Sequence, residues 1–213
     1  MTNRPDTDDF IRSLARRPVP AAFRPVGTGL AMLAAGGLGL GLFLGVFGMR
    51  GDLGPALSAP VTLAKLVLPG GVAAMALWLA LASARPGARL WLWPLLVPLA
   101  MALILVAGRL GQLAPGQIPA EVMGRSALAC LLSIAALALA PTVLGLICLR
   151  RGATTRPLLS GALVGMAAGA MVAAGYALHC TEDSPLFYTL WYGLGIALSA
   201  TGGAIAGQQL LRW

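Results

Sequence analysis

Charge is what this chain has least of. Only 10% of its 213 residues are Asp, Glu, Lys or Arg, against about 25% in an ordinary soluble domain. Aromatic residues make up 6%, and histidine occurs once, at His179. The three cysteines, Cys130, Cys148 and Cys180, have no CxxC spacing, which argues against a zinc ribbon and against a thioredoxin-type motif. The first 25 residues are polar and hold no apolar core, so no secretory signal is expected. No nucleophile and base stand together in a convincing way, and Ser184 near His179 is too little to support an enzyme. The apolar runs contain almost no acids, asparagines or histidines at their centres, which speaks against a small membrane transporter. A thiol-redox membrane protein of the quinone-linked kind is the other competing class, and the missing CxxC counts against it.

What the chain does have is apolar. Hydrophobic residues reach 58%, mean hydropathy is +0.84, and there are 28 glycines. A chain this apolar cannot hide its surface from water, so its solvent must be lipid, and small residues let its helices pack closely. The net charge of +8 would suggest nucleic acid in a soluble protein. Here basic residues are expected beside cytoplasmic membrane ends, so no direct nucleic-acid partner is expected.

Six apolar segments follow the polar start, at about 26–48, 60–83, 90–108, 126–149, 158–179 and 189–211, each near the ~20 residues that a bilayer requires. The expected fold is all-α: a six-helix transmembrane bundle over 26–213, preceded by a short cytoplasmic segment, 1–25. Pro69 with its two glycines and Pro141 are expected to kink the second and fourth helices. In the first segment Thr7 can cap a helix whose first turn carries Asp8 and Asp9. Phe10, Ile11 and Leu14 then share one face, Asp8 can pair with Arg12, and Pro18 and Pro20 stop the helix. Such a helix is too short to be stable alone; it waits for a partner or lies on the membrane.

Basic residues set the orientation. Eleven arginines (4, 12, 16, 17, 24, 85, 89, 150, 151, 156 and 212) fall on one side, and only Arg50, Arg109 and Arg125 in the opposite links. The positive-inside rule then places both termini in the cytoplasm, with six spans. Cys130 and Cys180 come out near the outer face, whereas Cys148 lies roughly 27 Å from Cys130 along the same helix. If the fourth and fifth helices pack side by side, Cys130 and Cys180 could form a disulfide or share a soft metal ion. Each cysteine taken alone can also be read as a small packing residue, Cys148 above all and Cys180 least. Lys65 is expected to snorkel outward, or else to pair with Glu121 or Glu182. Phe187, Tyr188, Trp191 and Tyr192 fit an interfacial aromatic belt as well as they fit a site. The four-spaced glycines 37/41/45 and 161/165/169, with Gly203 and Gly207, read as helix-packing seams; a homodimer through them is left open.

The chemistry gathers in one link, His179-Cys-Thr-Glu-Asp-Ser-Pro-Leu-Phe-Tyr-Thr-Leu-Trp-Tyr192. Together with TDDFIRSLA at the N-terminus, Cys130 in the fourth helix and the six-span pattern, it resembles the NrsF-type anti-sigma factors. These are negative regulators of an extracytoplasmic-function sigma factor of the sigma F type. The resemblance covers essentially the whole chain. It implies a non-enzymatic protein of the bacterial inner membrane that holds a sigma factor inactive and releases it on heavy-metal or redox stress. Carried over by position, the sensing cysteines are Cys130 and Cys180, and the sigma-binding element is Asp8, Asp9, Phe10, Ile11 and Leu14. No resident cofactor is implied. His179, Glu182 and Asp183 beside Cys180 extend the thiols to a ligand set for a transiently bound heavy-metal ion. The carboxylates would also disfavour a thiolate, so metal sensing is favoured over direct oxidation.

Overall fold

The computed structural model describes residues 7–16 and 22–212, apart from the side chain of Asp8. Among these residues all regular structure is helical. The helices are α1 (Thr7–Ala15), α2 (Pro25–Phe47), α3 (Leu53–Ser58), α4 (Pro60–Ser83), α5 (Leu96–Leu110), α6 (Ile118–Met123), α7 (Ala127–Leu149), α8 (Pro157–Tyr176) and α9 (Pro185–Leu210). Six stretches are long and apolar enough to cross a bilayer: those of α2, α4, α5, α7, α8 and α9. Their outward faces are covered with large apolar side chains, such as Leu38, Leu42 and Val46 on α2 and Leu103 and Ile104 on α5, as lipid-facing helices require.

Most of the expected boundaries hold within three residues; α5 begins at Leu96, six residues later than expected, and α9 is the other exception. It begins at Pro185, four residues early, because Pro185 occupies the first turn, where its missing N–H costs nothing. The aromatic end of the link is therefore helix. Two short helices that the sequence had left as links, α3 and α6, also form. Helices α4 and α7 continue through Pro69 and Pro141. Pro94 starts a 3-10 turn, Trp93–Leu95, that leads into α5. In α1, Thr7 is already helical and the preceding residue lies outside the described residues, as do Pro18 and Pro20. Arg12 pairs with Asp9 at 3.4 Å, one turn back; the Asp8 side chain, its expected partner, lies outside the described residues.

Helix α8 is the axis of the bundle, packed by α9, α4 and α7. Its composition explains why: Gly161, Gly165 and Gly169 present no side chain to α9. A Cβ on Gly165 would run into the carbonyl oxygen of Ser199. The expected seam with Gly203 and Gly207 is real, and Gly203 meets Gly161 backbone to backbone. The Gly37, Gly41 and Gly45 row has nothing within 4 Å, so that seam is unused within the chain.

The links sort to the two ends of the bundle. One end joins 48–59, 111–126 and 177–184, and there Arg50 N donates to Leu178 O at 3.0 Å. The other joins 84–92, 150–156 and 211–212, tied by Ala153 N to Ala84 O at 2.9 Å. Arg85, Arg89, Arg150, Arg151, Arg156 and Arg212 all lie at this second end, and Asp52, Glu121, Glu182 and Asp183 at the first.

Candidate functional site

Helix α8 ends at Tyr176, and a tight turn follows in which the N–H groups of His179 and Cys180 both donate to Tyr176 O, at 3.0 and 3.1 Å. The chain then runs extended to Ser184 and re-enters helix at Pro185. This turn aims the Cys180 side chain back into the bundle, towards the first turn of α7. There Cys130 N donates to Ser126 O at 2.8 Å. The two sulphurs stand 3.7 Å apart, both as free thiols, with Cys130 0% and Cys180 4% exposed. Ser126 Oγ lies 3.5 Å from Cys130 Sγ. Tyr176, Phe187, Tyr188 and Tyr192 wall the pair in. Three of the four residues expected to form an interfacial belt, Phe187, Tyr188 and Tyr192, are thus buried around the thiols, and only Trp191 reaches the surface region, donating from Nε1 to Val122 O at 2.8 Å. Cys148 sits at the far end of α7, away from the pair.

The other three residues expected around a metal ion do not join the thiols. His179 places Nδ1 2.8 Å from Gly48 O, so that this nitrogen carries the proton and donates, and its ring packs edge-on against Phe43. The carboxylate of Glu182 turns away to accept from Arg125 N at 2.8 Å. Asp183 is taken by cations. Among the described residues no three His, Cys, Asp or Glu side chains converge. What remains is two sulphurs whose spacing matches the ~3.8 Å edge of a tetrahedral site with 2.3 Å metal–sulphur bonds. They could hold one edge of a soft cation's shell, but the imidazole and carboxylates would have to leave existing partners to complete it.

The cations were the larger miss. Arg50, its side chain 3% exposed, donates through Nη1 and Nη2 to both oxygens of Asp183 at 2.8 Å. Its Nε and Nη2 reach the two oxygens of Asp52 at 2.8 and 2.9 Å, and Nη1 touches Cys180 O at 3.2 Å. Lys65 does not snorkel; it is 0% exposed. Its Nζ donates to Cys180 O at 2.7 Å and to Glu182 O at 2.8 Å, and lies 3.4 Å from Asp183 Oδ1. Its carboxylate partner is Asp183, while Glu121 pairs instead with Arg109 at 2.6 Å. Two cations and two carboxylates make the cluster neutral, which is how charge survives burial. A basic residue inside an otherwise acidic link, as Arg50 is beside Asp52, was the signal available in the sequence.

The clamp changes the electrostatics expected around Cys180. Burial works to raise the Asp183 carboxyl, but the Arg50 hydrogen bonds and the Lys65 charge outweigh it and hold it below its usual range. The hydrogen bond from Cys130, with the Lys65 charge behind it, pushes the Cys180 thiol down to about 5. Asp183 is offset by two cations and the Glu182 carboxylate is turned away, which weakens the opposition to a thiolate there.

Gly124 closes the site from the third link. Its φ of 54° favours glycine, and a Cβ there would meet the Phe187 ring at 2.6 Å. The N-terminal element is different in kind: α1 carries Phe10, Ile11 and Leu14 at 57, 55 and 45% exposure, an uncovered apolar face beside Asp9 and Arg12.

Residues 14–213 match the family profile described as "Negative regulator of sigma F". The chain is 36% identical over 220 residues to the anti-sigma-F factor NrsF of Caulobacter vibrioides, an alignment covering 97% of this chain and 99% of that one. It is 35% identical over 219 residues, with the same coverage, to a protein of Azospira oryzae named a probable anti-sigma-F factor NrsF. No solved structure matches. Covered by the profile for all but its first residues, and by two full-length relatives, the chain belongs to the NrsF family of negative regulators of sigma F.

Proposed function

We propose that this chain is an integral inner-membrane anti-sigma factor of six spans. Both termini lie in the cytoplasm, α1 holds an extracytoplasmic-function sigma factor, and the Cys130–Cys180 pair faces the periplasm as the sensor. The orientation is supported by the arginines gathered at one end of the bundle and the four carboxylates at the other. Sigma binding at α1 is supported by its exposed Phe10, Ile11 and Leu14 face on a nine-residue helix too short to stand alone.

The observation that carries the sensing reading is the 3.7 Å contact of two buried sulphurs from different helices. Bridging them needs little motion. On oxidation each thiol loses its proton, two electrons pass to a periplasmic oxidant, and the sulphurs close to ~2.05 Å. A soft heavy-metal cation would bridge the same two atoms. Either event pulls the 177–184 link towards α7. Because Lys65 and Arg50 grip the Cys180 carbonyl, the pull reaches α4 and the end of α2. Helix α2 lies against α7 and begins just after the N-terminal segment. The inducer acts only by as much as it favours the releasing arrangement over the holding one.

The test is induction of a sigma-dependent reporter by cadmium or by a thiol oxidant in cells carrying serine variants. Cys130→Ser and Cys180→Ser are each expected to lose the response, the double variant to be no worse, and Cys148→Ser to respond normally. A normal response in Cys180→Ser would end the proposal.

A further inference from the structure

Helix α5 stands off from its neighbours. Two clefts lie one below the other in the groove between α5 and the α4–α9 pair: one of about 660 Å³ at the thiol end, and one of about 360 Å³ further inward. Their chemistry differs along the groove. The outer cleft is polar at its mouth, where Arg109, Gln112, Glu121 and Asp183 gather. The inner cleft is walled by Leu68 and Val72 of α4, Leu99 of α5 and Ile196 of α9. Thr189 lies between the two levels, and its Oγ1 is buried with no hydrogen-bond partner.

The dimensions are those of one leaflet. From Pro185 to Ala197, the span of α9 along the groove, is about 18 Å at 1.5 Å per residue. Half the hydrocarbon core is about 15 Å. Thr189 lies about 6 Å below the mouth, and the polar layer of a leaflet is some 5–7 Å deep. That is the level of the acyl ester carbonyls. The mouth carries both signs: Arg109 is bound to Glu121 at 2.6 Å with its side chain still 35% exposed, and Asp183 is 32% exposed. With Asp183 held by Arg50 and Lys65, such a mouth offers a donor to a phosphate and the Glu121 carboxylate to an ammonium. It offers no excess positive charge to a purely anionic headgroup.

We propose that this groove is a binding site for one zwitterionic phospholipid of the leaflet at the thiol end. The phosphate lies on Arg109, the ammonium on the Glu121 carboxylate, and an acyl chain fills the inner cleft. The site goes beyond sigma-factor control but borders the sensor. Asp183 belongs to the clamp on Cys180, and Tyr192 lines the inner cleft while its ring packs in the thiol cluster.

The test is to reconstitute the full chain in vesicles of equal phosphatidylethanolamine and phosphatidylglycerol, extract it in mild detergent, and count bound lipid by native mass spectrometry. One phosphatidylethanolamine per chain, enriched at least tenfold over phosphatidylglycerol, is expected. Gly108 and Gly193 line the outer and inner clefts, and a Cβ at either meets nothing within 4 Å. Gly108→Trp and Gly193→Leu therefore start into open space and direct bulk into the groove, and both are expected to lose the lipid. Gly202→Leu, on the opposite, open side of α9, is expected to keep it. Equal retention of the two phospholipids, or retention by both filled variants, overturns the assignment. Repression of the reporter, measured in parallel, checks the regulatory reading, which lipid counting does not touch.

Discussion

At the scale of single residues, the main point is how Cys180 is held. Its sulphur faces Cys130 while its carbonyl oxygen accepts from two different cations, Lys65 on α4 and Arg50 beyond α2. Removing one partner of a buried charge cluster leaves the other uncompensated, at about 3 kcal/mol or more. Lys65→Met is therefore expected to destabilise the chain by about 3 kcal/mol, read as a lower unfolding midpoint in detergent. Adding Asp183→Asn to it should cost less than the two single losses together, because the two groups share one network. Strict additivity would mean that Lys65 and Asp183 are not coupled.

At the scale of elements, the sequence showed most where periodicity and end chemistry act locally. The six apolar runs, the cysteines that share an end and the glycine seam of α8 on α9 all follow from spacing along the chain. What was not legible depends on contacts between distant residues. Arg50 meets Asp183 across 133 positions, and His179 meets Gly48 across 131. Nothing in the local sequence says that the imidazole binds a carbonyl of the first link, not a metal. The start of α9 at Pro185 was legible from proline chemistry alone, but the aromatic cluster after it fitted a membrane-surface belt as well as a site. Helix α1 makes its own prediction. Phe10→Asp combined with Leu14→Asp removes its apolar face and is expected to abolish sigma-factor binding in a pull-down and to release reporter transcription without inducer. Full repression by this double variant would move the docking surface elsewhere, with the 150–157 link as the first alternative.

At the scale of the whole molecule, charge is divided between the ends. Seven described arginines at one end of the bundle, Arg24 among them, face a cluster at the other that is neutral in total, because Arg50 and Lys65 offset Asp52 and Asp183. That polarity predicts the orientation. A reporter active only in the periplasm is expected to work when fused after Thr181 and to stay silent when fused after Thr154. The opposite pattern would turn the thiols towards the cytoplasm.

The near-complete burial of Cys130 and Cys180 has a consequence in time. On the sensing reading proposed above, a pair sealed by three tyrosines and a phenylalanine would react with peroxide-sized oxidants and bare ions far sooner than with glutathione or the active-site loops of reductases. A disulfide closed there could not be reopened from outside. Each molecule would fire once, and the cell would recover by making new copies and diluting the old. After a short oxidant pulse, washed away, reporter output should persist for about as long as the protein takes to be replaced by growth, and blocking protein synthesis should freeze the state. Recovery within minutes, with synthesis blocked, would show that a reductant reaches the pair.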